Sequence, residues 1–167
     1  MNKKISLQRL CIGAVIAAIY AVLTYLSGFL GLAYGAIQFR LSEVLCVLPI
    51  FNLWSVSGLA VGCVIGNLAS PFGVYDVLFG TLATVIAGIV SFKLKNIKIK
   101  DIPFLSLLSP VLFNALLVGL EVAFLVDTHL FLITFAEVFI GEGAVIFLLG
   151  LPTYLFLNRS HFLKRYL

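Results

Sequence analysis

Charge is scarce in this chain. Of 167 residues only 11% are Asp, Glu, Lys or Arg, against 62% apolar residues and a mean hydropathy of +1.19. A water-soluble domain carries roughly 25% charged residues, so there is too little polar surface here to cover a globule in water. Cysteine is sparse too. Cys11, Cys46 and Cys63 lie inside apolar runs. An odd count without ligand spacing gives neither a disulfide framework nor a zinc site, and the three read as small buried hydrophobes. The sequence has no Walker A stretch, which excludes ATP binding in the P-loop manner. It has no His-Glu-x-x-His and no supported Ser-His-Asp arrangement, and His129 reads as a solvated loop residue. No stretch has linker composition, so residues 1–167 read as a single transmembrane domain. Nothing beyond a few lysines supports contact with nucleic acid, and nothing calls for a cofactor or a metal.

Long apolar runs are what the chain has instead. A membrane-spanning helix needs roughly 17–25 mostly apolar residues. The pattern predicts an all-α integral membrane protein with six transmembrane helices, over about Leu7–Gly28, Ile37–Asn52, Ser55–Ala69, Tyr75–Phe92, Phe104–Val126 and Leu130–Leu157. The first is too long for a signal-peptide core and is followed by further spans, so it reads as retained. Pro49, Asn52 and Trp54 break what could otherwise be one long second helix.

The placement of Lys and Arg sets the orientation. Lys3, Lys4 and Arg9 precede the first helix. Lys93, Lys95, Lys98 and Lys100 follow the fourth, and Arg159, Lys164 and Arg165 follow the sixth. With six spans all three segments fall on one side, so both termini are expected in the cytoplasm. The remaining basic residue, Arg40, sits at the opposite, outer end of the second helix. Tyr25, Tyr34 and Trp54 suit interfacial anchors.

With that topology the polar residues gather in the outer half. Arg40 and Glu43 lie in the outer third of the second helix, and Asn67 is near the outer end of the third. Tyr75 and Asp76 open the fourth. On the fifth, Glu121 and Asn114 are seven residues apart and share a face. The sixth carries Glu137 in its outer third and Glu142 nearer mid-depth. Charge at membrane depth costs roughly 2.5–3.5 kcal/mol per group on insertion scales, so partners or a polar cavity are expected. The inner half has almost nothing polar, which argues against a channel lined through its depth. No internal repeat suggests a self-contained two-half transporter. A membrane-embedded binding protein fits better.

Plain structural readings stand beside these. Arg40 and Glu43 can form an intrahelical ion pair. Asn67 can cap its helix, and Asp76 can favour a helix N-terminus. Glu137 and Glu142 lie about 140° apart around a helix, so only one is expected to face a small ligand. Gly13, Ala17 and Ala21, with Ala14 and Ala18 beside them, form a small-residue stripe on the first helix. That stripe is either a docking face for a partner membrane protein or a face packed on its own neighbours. Gly58, Gly62 and Gly66 read as close helix packing.

The stretch Gln38-Phe39-Arg40-Leu41-Ser42-Glu43 with Leu48-Pro49 resembles the QueT family. So does Gly62-Cys63-Val64-Ile65-Gly66-Asn67-Leu68 leading to Tyr75-Asp76-Val77-Leu78-Phe79-Gly80-Thr81-Leu82-Ala83-Thr84. Gly141-Glu142 with Gly150-Leu151-Pro152 is similar too. The resemblance implies the substrate-binding S-component of an energy-coupling factor (ECF) transporter for queuosine precursors, in the bacterial cytoplasmic membrane. Such a subunit binds a 7-deazaguanine base near the outer face. It has no ATPase of its own and docks on a transmembrane coupling subunit carrying two cytoplasmic ATPase subunits. The helix-one stripe would be the docking surface. Glu121 or Glu137 would accept the two parallel donors of the guanine-like edge, with Asn114 and Asn67 on the ring carbonyl or nitrogens. Glu43, Asp76 or Glu142 would meet a cationic aminomethyl arm, and Phe39 and Tyr75 would stack on the ring. An S-component for another vitamin or nucleobase is the alternative, and a structural membrane subunit the more distant one.

Overall fold

The computed structural model describes residues 7–33 and 38–160. Tyr34, Ile37, Lys3, Lys4, Lys164 and Arg165 lie outside them. Among the described residues there is no strand beyond an isolated bridge between Ile99 and Ile102 in a loop. Helix one is Leu7–Phe29, helix two Leu41–Ile50, helix three Ser55–Asn67, helix four Val74–Leu94 and helix five Phe104–Leu125. A short turn at Thr128–Leu130 leads into helix six, which runs as an α segment Phe131–Val145, a π turn Ile146–Gly150 and an α segment Leu151–Arg159. Four helical stretches are long and apolar enough to cross a membrane: Leu7–Phe29, Val74–Leu94, Phe104–Leu125 and Thr128–Arg159.

Helix two corrects the sequence-based expectation. It is shorter than predicted, and it is a 3-10 helix throughout. Runs beyond three or four residues of this form are uncommon, and they often mark strain or a functional hinge. At about 2.0 Å per residue, ten residues span about 20 Å. The thirteen residues of helix three also span about 20 Å, so both fall short of the roughly 30 Å hydrocarbon core. With three residues per turn, every third side chain lies on one line. Arg40, at the N-cap, is followed on that line by Glu43, Cys46 and Pro49. The periodicity of apolar residues over so short a run does not separate this form from an α-helix.

Helix two is the axis of the bundle and touches every other helix. Val47 at its middle is fully buried, against Tyr20, Leu59, Leu107, Val111 and Ile146 from the surrounding helices. The outer surface is the reverse of a soluble protein's. Val15, Val22, Leu82, Leu112, Ile140 and Leu148 are all exposed. Apolar exposure of this extent suits lipid rather than water.

Small residues bring helices one and three together. A β-carbon on Gly58 would overlap the backbone of Gly13, and one on Gly62 would sit 2.9 Å from the Ala17 carbonyl oxygen. One on Gly66 would meet Thr24 at 2.9 Å. The helix-one stripe therefore divides. Gly13 and Ala17 pack on helix three and Ala21 is buried, while Ala14 and Ala18 stay exposed.

Helices four and five are joined by serines. Pro110 has no N–H to give the Ser106 carbonyl one turn back. Ser91 Oγ donates to that carbonyl at 3.0 Å, and Ser106 Oγ donates in return to the Ser91 carbonyl at 2.8 Å. Ser109 Oγ adds a bond to the Ala87 carbonyl at 2.9 Å.

These contacts lie near the basic end of the bundle. Arg9 stacks over Trp54 at 5.1 Å from the ring centroid, and Lys95 and Lys98 border a groove with Phe51, Tyr154 and Asn158. Basic residues from separate parts of the chain thus lie at one end of the bundle.

Gly141 of helix six provides a test of close approach. A β-carbon there would overlap the backbone carbonyl of Gln38. Gly141→Ala is expected to cost about 1–3 kcal/mol by overpacking. That corresponds to a fall of roughly 2–10 °C in Tm for a chain of this size, read by thermal unfolding in detergent. Gly143→Ala would meet only Val111 Cγ1 at 3.8 Å and should shift Tm by less than about 2 °C. Equal shifts in the two variants would contradict this packing.

Candidate functional site

Five charged side chains are buried among the described residues: Arg40, Glu43, Asp76, Glu121 and Glu142. All lie toward the end of the bundle opposite the lysines, and their positions follow from the helix ends. Arg40 precedes helix two, Asp76 is in the first turn of helix four, and Glu121 is in the last turns of helix five. Burying such groups is costly unless each is met by a partner.

The first set of partners surrounds Arg40. Its Nη1 donates to Asn67 Oδ1 at 3.0 Å, and its Nε reaches the Ala33 carbonyl at 3.4 Å. It is also within electrostatic reach of Asp76 and Glu43. Asn67 Nδ2 donates to the Asp76 backbone carbonyl at 3.0 Å and approaches Cys63 Sγ at 3.3 Å. Asn67 thus ties the start of helix two to the start of helix four. Gly80 makes room for it, because a β-carbon there would lie 2.7 Å from Asn67 Nδ2. The Asp76 carboxylate accepts from the Ser70 hydroxyl.

The second set surrounds Glu43. Its carboxylate accepts from the Tyr20 hydroxyl, and from the Cys46 thiol at 2.9 Å one 3-10 turn along. Asn114 Nδ2 donates to Glu142 Oε1 at 2.9 Å and lies 3.5 Å from Glu43 Oε2. One amide therefore stands between two carboxylates from different helices. Nearby, Thr24 Oγ1 donates to Ser42 Oγ at 2.8 Å, and Ser27 Oγ accepts from the Leu41 N–H at 2.9 Å. The latter satisfies a backbone group that a helix start leaves without an intrahelical partner.

These groups line a narrow polar chamber. Arg40 and Glu43 come from helix two, Cys63 from helix three, Thr84 from helix four, Asn114 and Val118 from helix five, and Val138 and Glu142 from helix six. Gln38 closes one side. The chamber has room for about one water molecule, so a bicyclic molecule enters only if the walls move apart.

Several predicted site residues come together here: Arg40, Glu43, Asn114 and Glu142 line the chamber, and Asn67 and Asp76 brace Arg40 beside it. Glu121 is fully buried, one turn beyond Val118 on the face of helix five that carries Asn114. No donor group among the described residues reaches either of its oxygens, and its close polar neighbour is another acid, Asp76. Tyr75 and Glu137 are not brought in. Tyr75 is exposed, and Glu137 is only half-buried. Adjacent residues on a helix point about 100° apart. With Asp76 and Val138 facing inward, their neighbours Tyr75 and Glu137 are turned away from the chamber. Phe39 is half-buried beside Arg40 and outside the chamber lining. Tyr20, Ser70, Cys46 and Thr84 are part of the network but were not singled out from the sequence. Tyr20 carried one usable signal, since a tyrosine beside a small-residue stripe, facing inward, needs a partner for its hydroxyl.

Lipid-facing helices, four of them long and apolar enough to cross a membrane, around a buried hydrogen-bonding network fit a multi-pass membrane protein. The comparisons with known proteins agree. Residues 10–159 match the family model described as QueT transporter. The chain is 31% identical over 143 residues to the queuosine precursor transporter QueT of Lactococcus lactis subsp. cremoris, covering 81% of this chain and 83% of that relative. No solved structure matches. The chain belongs to the QueT transporter family.

Tyr20→Phe tests the network without altering its packing. It removes the hydroxyl that Glu43 accepts from and leaves a buried carboxylate short of a donor, at an expected cost of about 1–3 kcal/mol. The check is thermal unfolding in detergent beside Tyr25→Phe, whose hydroxyl bonds the Ile65 carbonyl at the exposed surface. Tyr20→Phe should be the more damaging of the two.

Proposed function

We propose that this chain is the substrate-binding S-component of an ATP-driven ECF importer. It binds a 7-deazaguanine precursor of queuosine at an outward-facing site in the bacterial cytoplasmic membrane. The observation that carries the proposal is the polar chamber, built from five helices at the end of the bundle away from the lysines. With the lysine end in the cytoplasm, the chamber falls in the outer half. Six crossings and two cytoplasmic termini fit this arrangement, the short helices two and three being sheltered by their neighbours.

The recognition chemistry follows from the donors and acceptors present. A guanine-like edge offers an N–H and an exocyclic amine, two parallel donors that suit one carboxylate. Glu121 is the best-suited acceptor, because its oxygens have no donor among the described residues. Glu137 stands outside the chamber lining, which leaves it the weaker candidate. Arg40, Asn114 and Gln38 supply groups for the ring carbonyl and nitrogens.

Energy would come from partners: a transmembrane coupling subunit with two cytoplasmic ATPase subunits. Their docking would use the open face of helix one. Ala14 borders a shallow apolar groove formed with Gly13, Ala17, Gly58 and Val61, and Ala18 is exposed on the same helix. Small side chains permit the close backbone approach on which helix association in lipid depends.

Isothermal titration of the detergent-purified protein tests the proposal. The ligands are 7-cyano-7-deazaguanine, its 7-aminomethyl analogue and queuine, with riboflavin and guanine as controls. One-to-one binding of a deazaguanine is expected, with none of riboflavin. Glu121→Ala should weaken it by on the order of tenfold or more, and Glu137→Ala should change it little. Folded protein that binds none of the deazaguanines would overturn the proposal.

A further inference from the structure

We infer that the groove at the lysine end of the bundle is a binding site for the phosphate headgroup of an anionic phospholipid from the surrounding bilayer. The inference goes beyond the transport reading and does not depend on it.

Three parts of the chain form the groove. Phe51 follows helix two, Lys95, Asn96 and Lys98 follow helix four, and Tyr154 and Asn158 come from the last segment of helix six. Its volume is about 300 Å³. At about 30 Å³ per water that is room for a phosphodiester with its glycerol, not merely a single ion.

Lysines at the end of a membrane helix commonly do no more than set orientation. The state of the polar groups sets this groove apart. Tyr154 is 2% exposed, yet its hydroxyl has no hydrogen-bond partner among the described residues. A buried tyrosine hydroxyl ordinarily finds one. The Tyr154 ring stacks on Phe51 with centroids 5.4 Å apart, which fixes it at the groove. The side-chain amides of Asn96 and Asn158 have no partner among the described residues either, and neither Lys95 nor Lys98 has an ion-pair partner there. Lys95 Nζ lies 3.7 Å over the Phe92 ring, a contact that steadies the ammonium without using all three of its N–H groups.

Five donor side chains thus converge without an acceptor of their own, and no acid lines the groove. Asp101 is within electrostatic reach of Tyr154, but it is exposed and outside the lining. Lys93, Lys100 and Arg159 flank the same segments and keep the local balance positive. A phosphate suits this set, because its oxygens accept several charge-assisted hydrogen bonds at once. The loop is also held in place. Ile99 and Ile102 exchange backbone hydrogen bonds of 2.9 and 3.1 Å around Lys100 and Asp101, whose φ values of 50° and 65° close a tight turn. Lys98 directly precedes that turn, so its backbone is anchored.

The surroundings select a lipid phosphate. Leu155 and Phe156, next to Tyr154 in the chain, are exposed, and Leu155 shares a face of helix six with exposed Leu148 seven residues back. An acyl chain can follow that face while its phosphate sits in the groove. Basic pockets between membrane helices near the bilayer surface are a general setting for anionic headgroups. The chain's own end segments are poor occupants. Residues 1–6 carry Lys3 and Lys4, residues 161–167 carry Lys164 and Arg165, and neither segment has an acidic side chain.

Native mass spectrometry of the detergent-purified protein tests the site, by titration with phosphatidylglycerol or with phosphatidylcholine of the same acyl chains. One phosphatidylglycerol is expected to bind roughly thirtyfold tighter than phosphatidylcholine, about fivefold for each lysine in the lining. Lys95→Gln combined with Lys98→Gln should bring that ratio close to unity, with thermal unfolding in detergent confirming the fold. Tyr154→Phe should weaken phosphatidylglycerol by about fivefold. Lys93→Gln combined with Lys100→Gln, both outside the lining, should keep most of the preference. An equal loss in the two double variants would mean diffuse attraction to charge and overturn the site. Displacement of the lipid by inorganic phosphate would make the occupant a soluble anion and overturn the lipid assignment. Equal binding of the two lipids by the wild-type protein would overturn the inference whether or not the variants fold.

Discussion

A carboxylate surrounded by hydrocarbon has to be met by donors, and most of this bundle is arranged to supply them. Lipid offers none, so they come from other helices. Glu43 draws on Tyr20 of helix one, Cys46 of its own helix and Asn114 of helix five. Asn114 then reaches Glu142 on helix six. Arg40 and Asn67 extend the network to helices three and four. Every helix is thereby connected to the short second one. The glycines follow from the same demand: Gly80 admits the Asn67 amide, and Gly141 admits the Gln38 backbone. Packing between apolar faces is interchangeable with lipid contact, but these polar contacts are not. They fix which helix lies beside which.

The 3-10 form of helix two serves this arrangement. In an α-helix, residues three apart are offset by about 60°. In a 3-10 helix they align, and Cys46 comes within 2.9 Å of the Glu43 carboxylate. The same alignment keeps Arg40, Glu43 and Pro49 on one edge. The apolar remainder, including Val47 and Ile50, is left for the core.

Much of this could be read in advance, and the exceptions have physical causes. Hydropathy located the long helices within a few residues, because about 30 Å of hydrocarbon demands long uninterrupted apolar runs. It could not assign helix two, where ten residues are too few for 3.0 and 3.6 residues per turn to be told apart. Arg40, Glu43, Asn114 and Glu142 stood out because charge and amides are conspicuous in so apolar a chain. Tyr75 and Glu137 stood out for the same reason, yet composition does not tell which way a side chain points. That was settled by helical phase, through Asp76 and Val138, and phase depends on how the helices pack. Tyr20 was hidden by its setting in an apolar stripe. The stripe itself turned out to be two faces, one against the glycines of helix three and one open.

The reciprocal serine bonds between helices four and five have a mechanical meaning. Ser91, Ser106 and Ser109 hold the two helices together at the lysine end, while the chamber lies toward the other end. A pair pinned at one end behaves as a lever with its fulcrum there. Ser91 stands seventeen residues from Val74, about 26 Å along the axis, so a tilt of about 5° displaces the far end by roughly 2 Å. The pin barely moves, Thr84 of the chamber wall, seven residues from Ser91, shifts by about 1 Å, and the level of Asp76, fifteen residues away, shifts by about 2 Å. Small angular freedom at a fixed hinge is thus converted into usable width where the acids are, without breaking the bonds at the other end.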